Sequence, residues 1–170
     1  MLQKSKPAGH AKTLRKCGIK INAFTLLELM FTVAIVGVLT AIAVPVYNAH
    51  RDEIRNQNAI NDIYLMKLAL ERLHTETFTY PATLAALPSL PNNGIDPWGN
   101  AYIYLNIING GPGIRGQVRK DQSTNPINSL YDLYSMGKDG ATRIQLDNKL
   151  SVDDIVLGRD GGYIGLASGF

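Results

Sequence analysis

Two groups of residues are capable of chemistry, and they sit at opposite ends of the chain. Near the start, one carboxylate, Glu28, interrupts a run of 23 otherwise uncharged residues from Phe24 to Val46. A carboxylate in a hydrocarbon layer costs a few kcal/mol unless a cation meets it, so Glu28 is either a pairing group or a hydrated residue at headgroup level. Near the end, Asp139, Asp147, Asp153, Asp154 and Asp160 offer oxygens of the kind that Ca²⁺ takes six to eight at a time. The plainer account of the same residues is a turn at Asp139-Gly140 and a solvated pair at Asp153-Asp154. No EF-hand spacing is present.

The rest of the chemical inventory is thin. His10, His50 and His74 are far apart, and no carboxylate or cysteine stands at metal-ligand spacing beside them. Gly110-Gly111-Pro112-Gly113 lacks the Lys-Ser pair and the following helix of a phosphate cradle. Arg115, Arg119 and Lys120 read as a small basic cluster on a solvated loop. Without a nucleophile–base constellation, an enzyme is not expected.

The elements that position these residues follow from pattern. The chain has 170 residues, 17 Lys and Arg against 14 Asp and Glu, and a single cysteine, Cys17. Residues 1–23 hold six of the bases and no acid, leaving eleven bases against fourteen acids, a net of −3, for the remainder. The pI of about 9.0 thus belongs to a short leader, and a nucleic-acid partner is not expected. The apolar run is long enough to cross a bilayer as a helix, with the bases holding its start in the cytoplasm. A secretory signal peptide would not place a carboxylate there, and its cleavage site would follow the run. Pro45 lacks an N–H and predicts a kink or a locally melted turn. Beyond it, Ile60, Ile63, Met66, Leu70 and Leu73 recur at spacings of three and four, bordered by Ala59 and Lys67, which predicts an amphipathic helix over 47–76. Pro81 is expected to end it. A short helix near 83–87, strands near 101–107 and 130–136, and shorter ones at 155–157 and 163–166 complete the expected elements. The polar, Gly- and Pro-rich stretch 109–129 reads as an exposed loop.

The string Ala23-Phe24-Thr25-Leu26-Leu27-Glu28-Leu29, followed by the apolar run and Pro45, resembles the cleavage and methylation signal of type IV prepilins and type II secretion pseudopilins. Asp96-Pro97-Trp98-Gly99-Asn100 with Tyr102 and Tyr104, then Asp132-Leu133-Tyr134-Ser135-Met136-Gly137-Lys138-Asp139-Gly140, is similar to the G-type major pseudopilins. Ala23 stands where the family usually has Gly. The resemblance implies an α+β pilin-like fold: a long N-terminal helix, half membrane-spanning and half amphipathic, on a small antiparallel sheet with a loop-rich C-terminus. It implies a cytoplasmic leader over 1–23, a membrane and filament-core helix over 24–46 and a periplasmic domain over 47–170. A prepilin peptidase would cut between Ala23 and Phe24 and the new terminus would be methylated. Glu28 and Pro45 would serve subunit assembly.

The implied product is an inner-membrane protein that polymerises into a helical homopolymer and drives export of folded proteins. Its partners would be minor pseudopilins, an inner-membrane platform protein and a cytoplasmic ATPase. The alternative is a type IV pilin for adhesion, motility or DNA uptake. Adhesive pilins usually close their C-terminal region with a disulfide, and here the only cysteine lies in the leader. The resemblance implies calcium in its place, held by the backbone carbonyl of Met136 and by Asp139, Asp153 and Asp154. Residues 141–151 replace the family's short Gly-rich link between the first and last of these.

Overall fold

The computed structural model describes residues 24–111 and 113–170. Its elements are a helix, α1 (Leu26–Thr77), and four strands, β1 (Ile103–Asn106), β2 (Tyr131–Ser135), β3 (Ile155–Gly158) and β4 (Tyr163–Leu166), joined by loops and short 3₁₀ turns. The chain divides into two compact units, one ending at Ala43 and one running from Val44 to Phe170.

In the first unit the helix starts where Thr25 caps it. The Thr25 hydroxyl accepts the N–H of Glu28 at 3.2 Å, satisfying one of the donors a helix start leaves free. Side chains from Phe24 to His50 are exposed all round. Two hydroxyls on this stretch are satisfied internally: Thr32 donates to the carbonyl of Leu29 at 2.8 Å and Thr40 to that of Val36 at 2.7 Å. An apolar helix with its polar groups closed on itself is suited to hydrocarbon on every side.

In the second unit α1 turns amphipathic. Ala59, Ile63, Met66 and Leu70 are fully buried, at spacings of four, three and four, while Ile60 and Leu73 flank them half-buried. The stripe holds at Ile63, Met66 and Leu70 as its spacing predicts, and Ala59, expected at its border, is fully buried in the packed face. Opposite stand Tyr131, Leu133, Ile155 and Leu157 from the sheet, Tyr102 just ahead of β1, and Tyr80, Leu84 and Leu87 from the connection after the helix. The helix ends at Thr77, within one residue of the expected end and before Pro81. Phe78 takes a left-handed φ of 58°, a conformation a bulky residue adopts only at a cost, and its N–H closes the last turn on the carbonyl of His74 at 2.7 Å.

The sheet is an antiparallel meander in the order β1-β2-β3-β4, with Ile103 opposite Tyr134 and Ile155 opposite both Ser135 and Leu166. All four residues of β3 are buried. Ile155 and Leu157 face α1, whereas Val156 faces a second cluster with Ile127, Leu146 and Ala167, edged by Tyr134, Tyr163 and Phe170. That second cluster overturns the reading of 109–129 as an exposed loop. Val118, Arg119, Ile127 and Asn128 are buried. Lys120 and Gln145 form a parallel bridge, with the Lys120 N–H on the carbonyl of Ile144 and the Leu146 N–H on that of Lys120, both at 3.0 Å. A central strand apolar on both faces needs two covers, and α1 supplies only one.

Candidate functional site

The processing and assembly residues lie on the apolar stretch. Ala23, with the leader and Cys17, lies outside the described residues. Phe24 is 74% exposed and Glu28 is exposed in the first helical turn, where the helix dipole favours a carboxylate. Pro45 sits inside a helix that continues on both sides of it. The locally melted turn that the sequence admits does not occur. Pro45 leaves the carbonyl of Ala41 without its helical donor.

The two motifs of the C-terminal domain meet in space. Asp96 is buried at 2% exposure and organises the turn of its own motif, one carboxylate oxygen accepting the N–H groups of Trp98 at 3.0 Å and Asn100 at 2.8 Å. Its other oxygen accepts the hydroxyl of Ser135 at 2.5 Å, at the end of β2. The Ser135 oxygen in turn accepts the Gly137 N–H at 3.0 Å, and Asn100 donates its side-chain amide to the Gly137 carbonyl at 3.2 Å. The first motif thus holds the turn into which the second one runs. Sequence reasoning picked out both strings but not this joint; a buried aspartate 39 positions from its serine has no local signature.

The turn after β2 carries the residues expected to hold calcium. Gly137 and Gly140 have positive φ, 65° and 66°. A Cβ on Gly137 would lie 2.3 Å from the carbonyl oxygen of Asp153, so only glycine fits. Asp153 caps this turn: its Oδ2 accepts the N–H groups of Lys138 at 2.9 Å and Asp139 at 3.1 Å. Asp139 accepts the N–H of Ala141 at 2.8 Å, and Met136 directly follows β2. Lys138 reaches Asp52 on α1 at 2.5 Å, and that hydrogen bond holds the Asp52 carboxyl below the usual aspartate range.

Asp154, adjacent to Asp153 in the chain, goes elsewhere. Its side chain is fully buried, and Oδ2 accepts Nη2 of Arg119 and the hydroxyl of Thr142, each at 2.6 Å. Burial pushes its carboxyl up to about 6, against the Thr142 hydrogen bond and the Arg119 charge, which lower it. Arg119 is itself 2% exposed, which corrects its assignment to a solvated basic cluster. Its Nη1 donates to the same Thr142 hydroxyl, its guanidinium lies 4.2 Å from the centre of the Tyr134 ring, and its backbone N–H donates to the buried Asp132 at 2.7 Å. Burial raises the Asp132 carboxyl. The other aspartates of the tail hold separate loops: Asp160 accepts the N–H of Ser129 at 2.7 Å, and Asp147 accepts the Gln122 amide at 2.8 Å.

This donor set does not fit a calcium ion. Among the described residues no three His, Cys, Asp or Glu side chains converge on one point. Asp153 and Asp139 spend oxygens on backbone amides, and Asp154 is paired with a guanidinium. Oδ1 of Asp154 is buried without a hydrogen bond, but among the described residues the carboxylates are not gathered around it in the number a calcium ion takes. A dication about 4 Å from a guanidinium meets a repulsion of roughly 8 kcal/mol at an effective dielectric of about 20, twice the unit-charge value.

Comparison with known proteins bears on both ends of the chain. Residues 20–44 match the prokaryotic N-terminal methylation motif. Over 138 residues the chain is 32% identical to type II secretion system core protein G of Pseudomonas aeruginosa, covering 70% of this chain and 84% of that one. The protein of the same name from Escherichia coli is 31% identical over 140 residues, 71% of this chain and 84% of its own. That of Vibrio cholerae is 30% identical over 139 residues, 71% and 83%. No solved structure matches the chain.

Proposed function

From the premise that this chain belongs to the type II secretion system core protein G family, we propose that it works as the repeating structural subunit of the pseudopilus that drives folded proteins out of the cell. The observation that carries this reading is the coincidence, within residues 20–44, of the methylation motif with an apolar helix exposed on every side and bearing one carboxylate in its first turn. A prepilin peptidase cuts between Ala23 and Phe24, and the new terminus is methylated. The protein waits in the inner membrane with its leader in the cytoplasm and its C-terminal domain in the periplasm. A platform protein and a cytoplasmic ATPase then draw subunits into a helical filament, which minor pseudopilins accompany.

The chemistry of assembly is charge neutralisation. Cleavage creates a protonated amine at Phe24, four residues before Glu28. In an apolar filament core each unpaired charge is costly, so the amine of an arriving subunit and the Glu28 of its neighbour settle at the depth where they meet. Pro45 frees a carbonyl and loosens α1 where its apolar half ends, which lets the helix adjust as it leaves lipid for the filament. The role is mechanical, and the domain's polar groups serve its loops. The test is mass spectrometry of the protein from a host with an intact secretion system. The mature chain should begin with N-methylated Phe24, and filaments sheared from those cells should contain it. An intact Met1 terminus in such a host would refute the reading.

A further inference from the structure

Arg119 is the most deeply buried cation among the described residues, and it comes from a Gly- and Pro-rich stretch where solvation is the ordinary expectation. Four separate segments meet on it. Its guanidinium holds Asp154 just ahead of β3, Thr142 in the segment 141–151, and the ring of Tyr134 in β2. Its backbone joins Asp132 through the N–H and Ile127 through the carbonyl, at 2.7 and 3.0 Å. The segment 141–151 is tied to the same centre. Ser151 accepts the Arg143 N–H at 2.8 Å and donates its hydroxyl to the Arg143 carbonyl at 3.0 Å, so the segment closes into a loop that delivers Thr142 to the Arg119–Asp154 pair. Of the residues expected to bind a cation, Asp154 is the one that Arg119 holds, and around that pair a positive charge gathers the segments carrying Thr142, Tyr134 and Ile127.

We propose that the buried guanidinium of Arg119 is the built-in cation that pins the C-terminal loops of this chain, so that the domain closes without calcium. Asp153 and Asp154 then do different work: the first caps the turn at Lys138 and Asp139, the second anchors Arg119. A guanidinium suits the second task because it is planar, stays charged when buried and offers several donors, two of which are used here on Asp154 and Thr142. The inference concerns how this domain is held together and is independent of whether the filament drives secretion.

The test uses the full chain in detergent micelles, with unfolding of the domain followed by near-ultraviolet circular dichroism from Trp98 and the tyrosines. Melting should be the same in millimolar CaCl₂ and in chelator. A resident site filled a hundredfold above its dissociation constant would raise the midpoint by roughly 10 °C, and such a rise would overturn the proposal. Arg119→Met and Asp154→Asn should each lower the midpoint by many degrees in both buffers, and the double variant should lie well above the sum of the two losses. Strict additivity would also overturn it, since the two side chains would then not act as a pair. The calcium comparison needs no variant, so failure of Arg119→Met to fold leaves the test intact.

Discussion

The first eighteen residues of α1 and the domain from Val44 onward solve the same problem in opposite ways. In the apolar stretch, side chains are exposed all round, and the helix satisfies the hydroxyls of Thr32 and Thr40 from within. In the domain, buried carboxylates such as Asp96, Asp132 and Asp154 each find donors from distant segments. The first arrangement leaves its interactions to be made outside the molecule. The second makes most of its own inside. A substitution in the apolar stretch should therefore disturb assembly and spare the domain, and one in the domain should do the reverse.

Glu28→Ala should test that division most sharply. It leaves an uninterrupted apolar helix, so membrane insertion should hold or improve and the domain's melting temperature should not move. Filament yield and secretion should fall roughly tenfold or more, since a loss of about 1.4 kcal/mol per contact already gives that factor. Normal filaments from this variant would break the comparison at its centre.

Leu133→Ala removes a fully buried side chain from the face under α1 and should cost about 2–5 kcal/mol of domain stability, read by denaturant unfolding. Leu39→Ala, in the apolar stretch, should leave that value unchanged. Gly137→Ala combines a positive φ with a clash against the Asp153 carbonyl and should cost roughly 2–3 kcal/mol. Its signature is faster proteolysis at 136–141, where the cap is lost. Ser135→Ala strips Asp96 of its strongest donor and should cost about 1–2 kcal/mol, the penalty of a buried acceptor left unmade.

The smallest effect should come from Lys138→Ala. Lys138 is exposed and its partner Asp52 half-buried, and salt screens such pairs, so the change in melting should shrink further at high ionic strength. The sign with pH follows from the lowered Asp52 carboxyl. The contribution is complete above the unfolded aspartate value of 3.8 and is lost as the pH falls through the lower folded one. A wild-type minus variant difference that grew on acidification would contradict the ion pair.

What could be read directly from the residues is whatever depends on near neighbours in the chain. The apolar run, the position of Glu28 and Pro45 within it, and the three-and-four stripe through Ile63, Met66 and Leu70 are periodic, and helix geometry converts period into a face. The strands were legible for the same reason, down to Ile155 and Tyr163. The expected exposure of 109–129 failed because covering a sheet face depends on what else is available to cover it. Nothing local in a Gly- and Pro-rich stretch reports that β3 is apolar on both sides. Asp153 and Asp154 show the limit most plainly. The sequence offers them as one acidic pair, and composition cannot separate them. Only the tertiary structure turns one toward the amides after β2 and buries the other against Arg119, 35 positions away. Asp153 still lies in the turn ahead of β3 while Asp154 leads into the strand, so neighbours in the chain end in different environments, and which environment holds a cation is settled by the packing of segments far apart in sequence.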